Sequence, residues 1–215
     1  VERVKKQLGQ LLSQSSDCIS MVPNTALGLS IILNAHQFEN GDEILILDNE
    51  FPSNAYSYMA QEQRGPRVIQ MPAQTFYQNP LKTLETYRTD RTKMIGMSLV
   101  GYTSGYKVEL KMLSTYCRDH HIRLYIDATQ ATGIVPIDLR ETPVDVLITS
   151  GYKWLRWPPG TAFAAIRPDY LSMLTPQQAG WLSVPNRPQI QYPLQLEWAD
   201  TAQKFEQGGM NYLGL

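Results

Sequence analysis

Lys153 has the most chemistry to offer in this sequence. It closes the run Val144-Asp-Val-Leu-Ile-Thr-Ser-Gly-Tyr-Lys153 and stands between Tyr152 and Trp154, a setting unsuited to a solvated surface charge. Desolvation and nearby cations lower a lysine's pKa and free its amine to attack a carbonyl. Asp127 ends an earlier apolar run, Ile122 to Ile126. A carboxylate there could keep a pyridine nitrogen protonated and preserve the ring's capacity to accept electrons, although capping a loop is an equally ordinary use. Thr25 and Ala26 open a helix-like stretch whose first N–H groups and positive dipole end suit a phosphate; taken alone, such a start is more often a plain N-cap. Phe51, followed by Pro52, offers an aromatic face for stacking, with a methyl of Ala128 or Thr129 for the opposite face, but core packing is the commoner fate of such a ring. Gln130, Ser150 and Tyr152 add an amide and two hydroxyls. Amine, carboxylate, amide, ring and phosphate cradle together match what pyridoxal 5′-phosphate (PLP) requires.

These residues need a scaffold that brings them to one place. Apolar residues recur at helical spacing from Val1 to Leu12, and a short run, Cys18 to Val22, reads as a strand. The alternation then repeats. Asn24 or Thr25 caps a helix through Phe38, Glu43 to Leu47 is a strand, Ser53 to Gln63 a helix, and Arg67 to Met71 a strand. Pro80 to Tyr87 is helical, Lys93 to Val100 a buried strand, Glu109 to His121 a helix, and Ile122 to Ile126 a strand. Val144 to Thr149 and Ala162 to Ile166 complete the set, the latter as an antiparallel return after a Pro-Pro-Gly turn. Strands alternating with crossover helices predict an α/β fold with a mostly parallel central sheet flanked by helices. In such sheets ligands bind beyond the carboxyl ends of the strands, and every residue singled out above follows a strand.

Composition narrows the partners. The 19 basic and 20 acidic residues leave a formal charge of −1, so no electrostatic footprint for nucleic acid is present. No apolar run is long enough to cross a bilayer and the charged opening is no signal sequence, which points to a cytoplasmic protein without membrane contact. Cys18 and Cys117 are the two cysteines; the first is read on an inner strand and the second on the inward face of a helix, so core packing is favoured over nucleophilic use. The three histidines show no metal-ligand spacing. A nucleotide-binding domain is disfavoured, since neither Gly-x-Gly-x-x-Gly nor Gly-x-x-x-x-Gly-Lys-Ser/Thr occurs.

The stretches Ile126 to Asp138 and Val144 to Leu155, with Pro159-Gly160, resemble the central segment of class V aminotransferase-like, fold-type I PLP enzymes. That family includes cysteine desulfurases, kynureninases, isopenicillin N epimerase-like enzymes and serine–glyoxylate type aminotransferases. The resemblance covers nearly the whole chain, and Asp-x-x-Gln followed by Ser-x-(His/Tyr)-Lys is more specific than any single element. It implies that Lys153 is the internal aldimine lysine, Asp127 the pyridinium partner and Gln130 the donor to the ring's phenolic oxygen, while Thr25, Ala26, Ser150 and Tyr152 hold the phosphate. The implied reaction begins with an amino-acid substrate displacing Lys153, which then serves as base or acid at the α-carbon of a quinonoid carbanion, in a transaminase or lyase. Tyr152 stands where many cysteine desulfurases have His, and Glu50-Phe51-Pro52 where they have Glu-His-His. Both departures, with Gly101-Tyr-Thr-Ser-Gly105, look like the kynureninase side of the family, whereas Gln130 stands where that group usually has Ser.

Phe205 to Gly214 is similar to the family's Phe-Glu-x-Gly-Thr-Pro-Asn segment, whose Thr commonly reaches the cofactor phosphate of the partner subunit; Gly209 holds that place here. The resemblance implies a homodimer with active sites at the interface, toward which the chain's own signs are Trp181 and Trp198. It also implies that residues 1–215 form a PLP-binding large domain, a fragment lacking the C-terminal small domain; in the sequence pattern itself, an irregular Pro-, Gln- and Trp-rich segment at 168–200 reads as a loop over the active site or part of an interface. The small domain would supply the arginine for the substrate carboxylate, for which Arg156, Arg167 and Arg187 are poor stand-ins. The alternative is a PLP-binding fragment that does not turn over.

Overall fold

The structure, a computed structural model, describes residues 1–185, 192, 194–209 and 211–214. Seven strands form one sheet: β1 (Ile19–Val22), β2 (Glu43–Leu47), β3 (Arg67–Met71), β4 (Thr92–Ser98), β5 (Arg123–Asp127), β6 (Val146–Ser150) and β7 (Ala162–Ile166). Their order is β1-β7-β6-β5-β4-β2-β3, with β7 antiparallel to both neighbours and the remaining pairs parallel. The α/β, mostly parallel expectation is met, including the antiparallel return of β7.

Helices cover both faces, and alternation along the strands decides which side chain meets which helix. Leu45, Leu47, Ile95, Leu124, Ile126 and Leu147 pack with α1 (Glu2–Leu12), α4 (Ala73–Gln78), α5 (Pro80–Tyr87) and α6 (Leu110–Asp119). Ile44, Ile46, Tyr125, Val146 and Ile148 pack on the other face with α2 (Thr25–Ala35), α3 (Pro52–Met59) and α7 (Pro168–Met173). Asp127 follows Tyr125 by two residues and Ser150 follows Ile148 by two, so both project toward α2 and α3. Gly28 lets α2 settle on the sheet: a Cβ there would lie 2.7 Å from Val22 Cγ2 and 2.8 Å from Ile148 Cδ1.

Several boundaries differ from expectation. α2 stops at Ala35 rather than Phe38 because His36 turns extended, its ring meeting Tyr170. α3 ends at Met59 and tightens into a 3₁₀ turn over Ala60–Arg64, closed by Gly65 at φ 116°. The 168–200 segment is not irregular throughout, since Pro168 starts α7, whose Tyr170 and Leu171 are buried against the sheet. Cys18 sits in the 3₁₀ turn before β1, an edge strand, rather than on an inner strand. No helix is long and apolar enough to cross a membrane among the described residues.

Candidate active site

The carboxyl ends of β1, β2, β4, β5 and β6 lie at one edge of the sheet, and the segments that follow them enclose a cavity of about 230 Å³. Its lining includes every residue expected from the sequence: Thr25, Ala26, Phe51, Asp127, Gln130, Ser150, Tyr152 and Lys153. Asn24, Ser53, Asn54, Ser98, Tyr102 and Thr129 complete it.

One wall is a cluster of hydroxyls at the start of α2. Asn24 is the cap, its Oδ1 accepting from Leu27 N–H at 2.8 Å. Thr25 is therefore free of capping, and its Oγ1 lies 2.7 Å from Ser150 Oγ and 3.1 Å from Thr129 Oγ1. Thr129 Oγ1 also accepts from Ser150 N–H at 3.1 Å. The helix N-terminus and three rotatable hydroxyls make a neutral cradle in which an anion can be held without a guanidinium. Ala26 lies in the first turn of that helix, beside the cradle.

The floor is a buried carboxylate system. Asp127 Oδ1 accepts from Thr129 N–H at 2.8 Å, and Oδ2 accepts from Asn54 Nδ2 at 2.7 Å. Burial pushes the Asp127 carboxyl up, against the hydrogen bonds from Thr129 and Asn54 and the charge of Lys153, which favour its ionised form. Glu50 lies behind it, accepting from Phe51 N–H at 2.7 Å, from Ser98 N–H at 2.6 Å, from Ser98 Oγ and from Asn54 Nδ2 at 3.2 Å. Desolvation raises the Glu50 carboxyl as well. A buried carboxylate with spare lone pairs attracts a cationic donor, and a protonated pyridine nitrogen is one. The buried Asn54 Oδ1 has no hydrogen-bond partner among the described residues.

The opposite wall is aromatic and carries the amine. Phe51 meets Tyr102 edge to face, with centroids 5.2 Å apart, and Lys153 Nζ lies 6.0 Å from the Phe51 ring centre. Lys153 is half-buried, Tyr152 lines the cavity half exposed, and Trp154, also half exposed, lies outside its lining. Carboxylate, amine, ring and anion cradle thus share one cavity, and these groups fit PLP.

The arginines are elsewhere. Arg156 is exposed and outside the cavity lining, and Arg167 pairs with Asp145 and Asp169 beyond the end of β7. Arg187 lies outside the described residues. Cys18 and Cys117 are buried, burial raises both thiols, and neither lines the cavity. Trp181 is exposed, whereas Trp198 is partly covered. The space where a Gly209 Cβ would stand is open.

Asn54 and Ser98 are absent from the sequence reading, and Thr129 enters it only for its methyl. A signal exists for Asn54: Asn54, Ser57, Tyr58 and Gln61 recur at helical spacing and are buried together. A polar stripe in place of aliphatic side chains marks a helix facing something other than a plain core.

Comparison with known proteins agrees with this geometry. An uncharacterized aminotransferase of Schizosaccharomyces pombe is 30% identical over 164 residues, 76% of this chain and 41% of that protein. A cysteine desulfurase of Salmonella newport is 24% identical over 220 residues, 100% of this chain and 53% of that protein. The chain spans about half the length of the curated relatives it matches. A lysine-to-alanine variant of C-DES, solved with glycine covalently linked to its PLP cofactor, shares the fold with a TM-score of 0.90 at 24% identity, over 97% of this chain and 55% of that one. The profile of the aminotransferase class-V family matches residues 1–215, and the chain belongs to that family of PLP-dependent enzymes.

Proposed function

We propose that residues 1–215 are the cofactor-binding large domain of an enzyme that uses PLP to transform an amino acid, with Lys153 as the residue that carries the cofactor. The observation that supports this most directly is the placement of Asp127, buried at the end of β5, in one cavity with Lys153 and the Thr25–Thr129–Ser150 hydroxyls. When bound, PLP supplies an aldehyde that captures amines and a ring that takes up electrons from the substrate's α-carbon. Thr25, Ser150 and the first turn of α2 at Ala26 hold its phosphate, with Tyr152 at the rim. Asp127 holds the proton on the ring nitrogen, Gln130 donates to the ring hydroxyl, and Phe51 covers one ring face. Lys153 would move the proton at the substrate α-carbon. Tyr102 and Phe51 shield that step from water on the side facing Lys153.

The test is chemical. Borohydride reduction of the protein with bound PLP should fix the cofactor to the peptide that contains Lys153, and Lys153→Ala should lose both the adduct and the visible absorption band. A wild-type protein that gains neither with PLP in excess refutes the assignment. Binding without turnover is a second reading, favoured by one observation: Lys153 is the sole cation among the described lining residues, so this cavity offers a substrate carboxylate no guanidinium. A panel of amino acids separates the two, because turnover requires at least one to alter the spectrum of the bound cofactor. Transfer and lyase chemistry both begin from this arrangement. Homodimerisation accompanies the proposal as an expectation of the family resemblance, and a cytoplasmic location as an expectation from the sequence's charge and hydropathy pattern.

A further inference from the structure

One amide serves two buried carboxylates. Asn54 is 1% exposed, and its Nδ2 donates to Asp127 Oδ2 at 2.7 Å and to Glu50 Oε1 at 3.2 Å. Only the NH₂ end of an asparagine can face carboxylates, because its carbonyl end would be repelled by both. The orientation leaves Asn54 Oδ1 buried and without a hydrogen-bond partner among the described residues, a destabilising arrangement that an aliphatic side chain would avoid. What Nδ2 achieves must offset that cost.

Glu50 explains how the amide is held. Two N–H groups, Ser98 Oγ and Asn54 Nδ2 all donate to it, so this carboxylate is immobile and aims Nδ2 at Asp127. Asp127 is in turn fixed at both oxygens, by Thr129 N–H at one and by Asn54 at the other. Removing Asn54 would leave two buried carboxyls facing each other with no donor between them, a situation that one of them escapes by taking up a proton. A protonated Asp127 could not hold a proton on a ring nitrogen.

We propose that Asn54, anchored by Glu50, is a positioning residue that fixes the orientation and negative charge of Asp127 toward the ring nitrogen of the cofactor. The proposal rests on reading the cavity as a PLP site, and its test separates the two. Apoprotein is titrated with PLP and with an analogue that carries carbon in place of the ring nitrogen. Asn54→Leu should weaken PLP about 10- to 100-fold, the range of one hydrogen bond to a charged group, and leave the analogue little changed.

Asn54→Asp provides a second arm that keeps the residue's shape. The new carboxyl faces Glu50 and Asp127, with Tyr58 neutral in its buried place and Lys153 the one cation among the described lining residues. Crowding makes it take up a proton, and its O–H then replaces Nδ2 as donor. The preference for PLP over the analogue should therefore return as pH falls and vanish as pH rises, relative to wild type at the same pH. If either variant loses PLP and analogue equally, or if the preference of Asn54→Asp does not vary with pH, the proposal is overturned while the PLP site stands. A wild type that binds neither ligand overturns both.

Discussion

Acidification should weaken this fold through His36, at the far end of the helix that opens the cofactor cavity. His36 caps the C-terminus of α2, and its Nδ1 lies 2.8 Å from Tyr170 Oη, which lies 2.8 Å from Tyr125 Oη. The neutral ring can accept the Tyr170 proton at Nδ1; an imidazolium cannot. Burial first, then the charge of Arg123, lowers the ring's pKa from 6.5 to about 4, with Asp42 opposing and Arg64 adding. Arg123 stands 4.6 Å from the centre of the Tyr170 ring and is held by Asp145 at 3.0 Å.

The sign follows from linkage. Between pH 6.5 and 4 the unfolded chain binds a proton that the folded chain refuses, so stability is fully present above the unfolded pKa and is lost as pH falls. The loss from this one group is about 2 kcal/mol at pH 5 and about 3 kcal/mol at pH 4, against a typical total of about 5–15 kcal/mol. Raised carboxyls such as Glu50 and Asp127 act with the opposite sign, so His36 must be isolated by difference. Urea denaturation of the apoprotein at several pH values, in wild type and in His36→Asn, supplies that difference. The wild type should lose about 2 kcal/mol more than the variant between pH 7 and pH 5. Equal losses would show that His36 is not held neutral and would sink the reasoning.

Gly28→Ala adds a methyl against Val22 and Ile148; overpacking of about 1–3 kcal/mol outweighs the roughly 1 kcal/mol gained in helix propensity. Urea midpoints should fall and PLP affinity should drop with them, whereas a more stable variant with unchanged affinity contradicts the close seating of α2. Thr25→Val keeps the shape of the residue but removes the hydroxyl shared with Ser150 and Thr129, so PLP should bind about 10-fold more weakly. Pyridoxal, which lacks the phosphate, should bind as before, and an equal loss for both would place the phosphate elsewhere.

Most strands were legible because they are buried on both faces, as β1, β2, β6 and β7 are throughout. Ile44 to Leu47 and Val146 to Ile148 read as apolar runs whose residues the structure divides between two cores. The site residues that sequence reasoning reached follow those runs directly, where topology alone puts ligand-binding groups. Asn54 belongs to a polar stripe that the sequence shows, but its role depends on Asp127, 73 residues away, which only the fold brings beside it. Thr129 was misjudged in the same way: its methyl is visible in the sequence, but only the fold turns its hydroxyl toward Thr25. Ends of helices depended on tertiary partners too, His36 leaving α2 for Tyr170 and Pro168 starting a helix that buries Tyr170.

These partnerships tie the chemistry to the seating of a single helix. α2 presents Thr25 to Ser150 at one end and His36 to Tyr170 at the other, and Gly28 sets its distance from the sheet between them. A cradle made of hydroxyls and a helix N-terminus can hold an anion without a permanent cation, and no arginine stands beside Lys153 among the described lining residues. That economy has a structural cost. Hydroxyl groups grip an anion only at short range, so a small displacement of α2 would cost more here than in a site built on a guanidinium, whose attraction extends further. If the proposed cradle holds the phosphate, PLP affinity should respond to substitutions at Gly28 and His36, although neither lines the cavity.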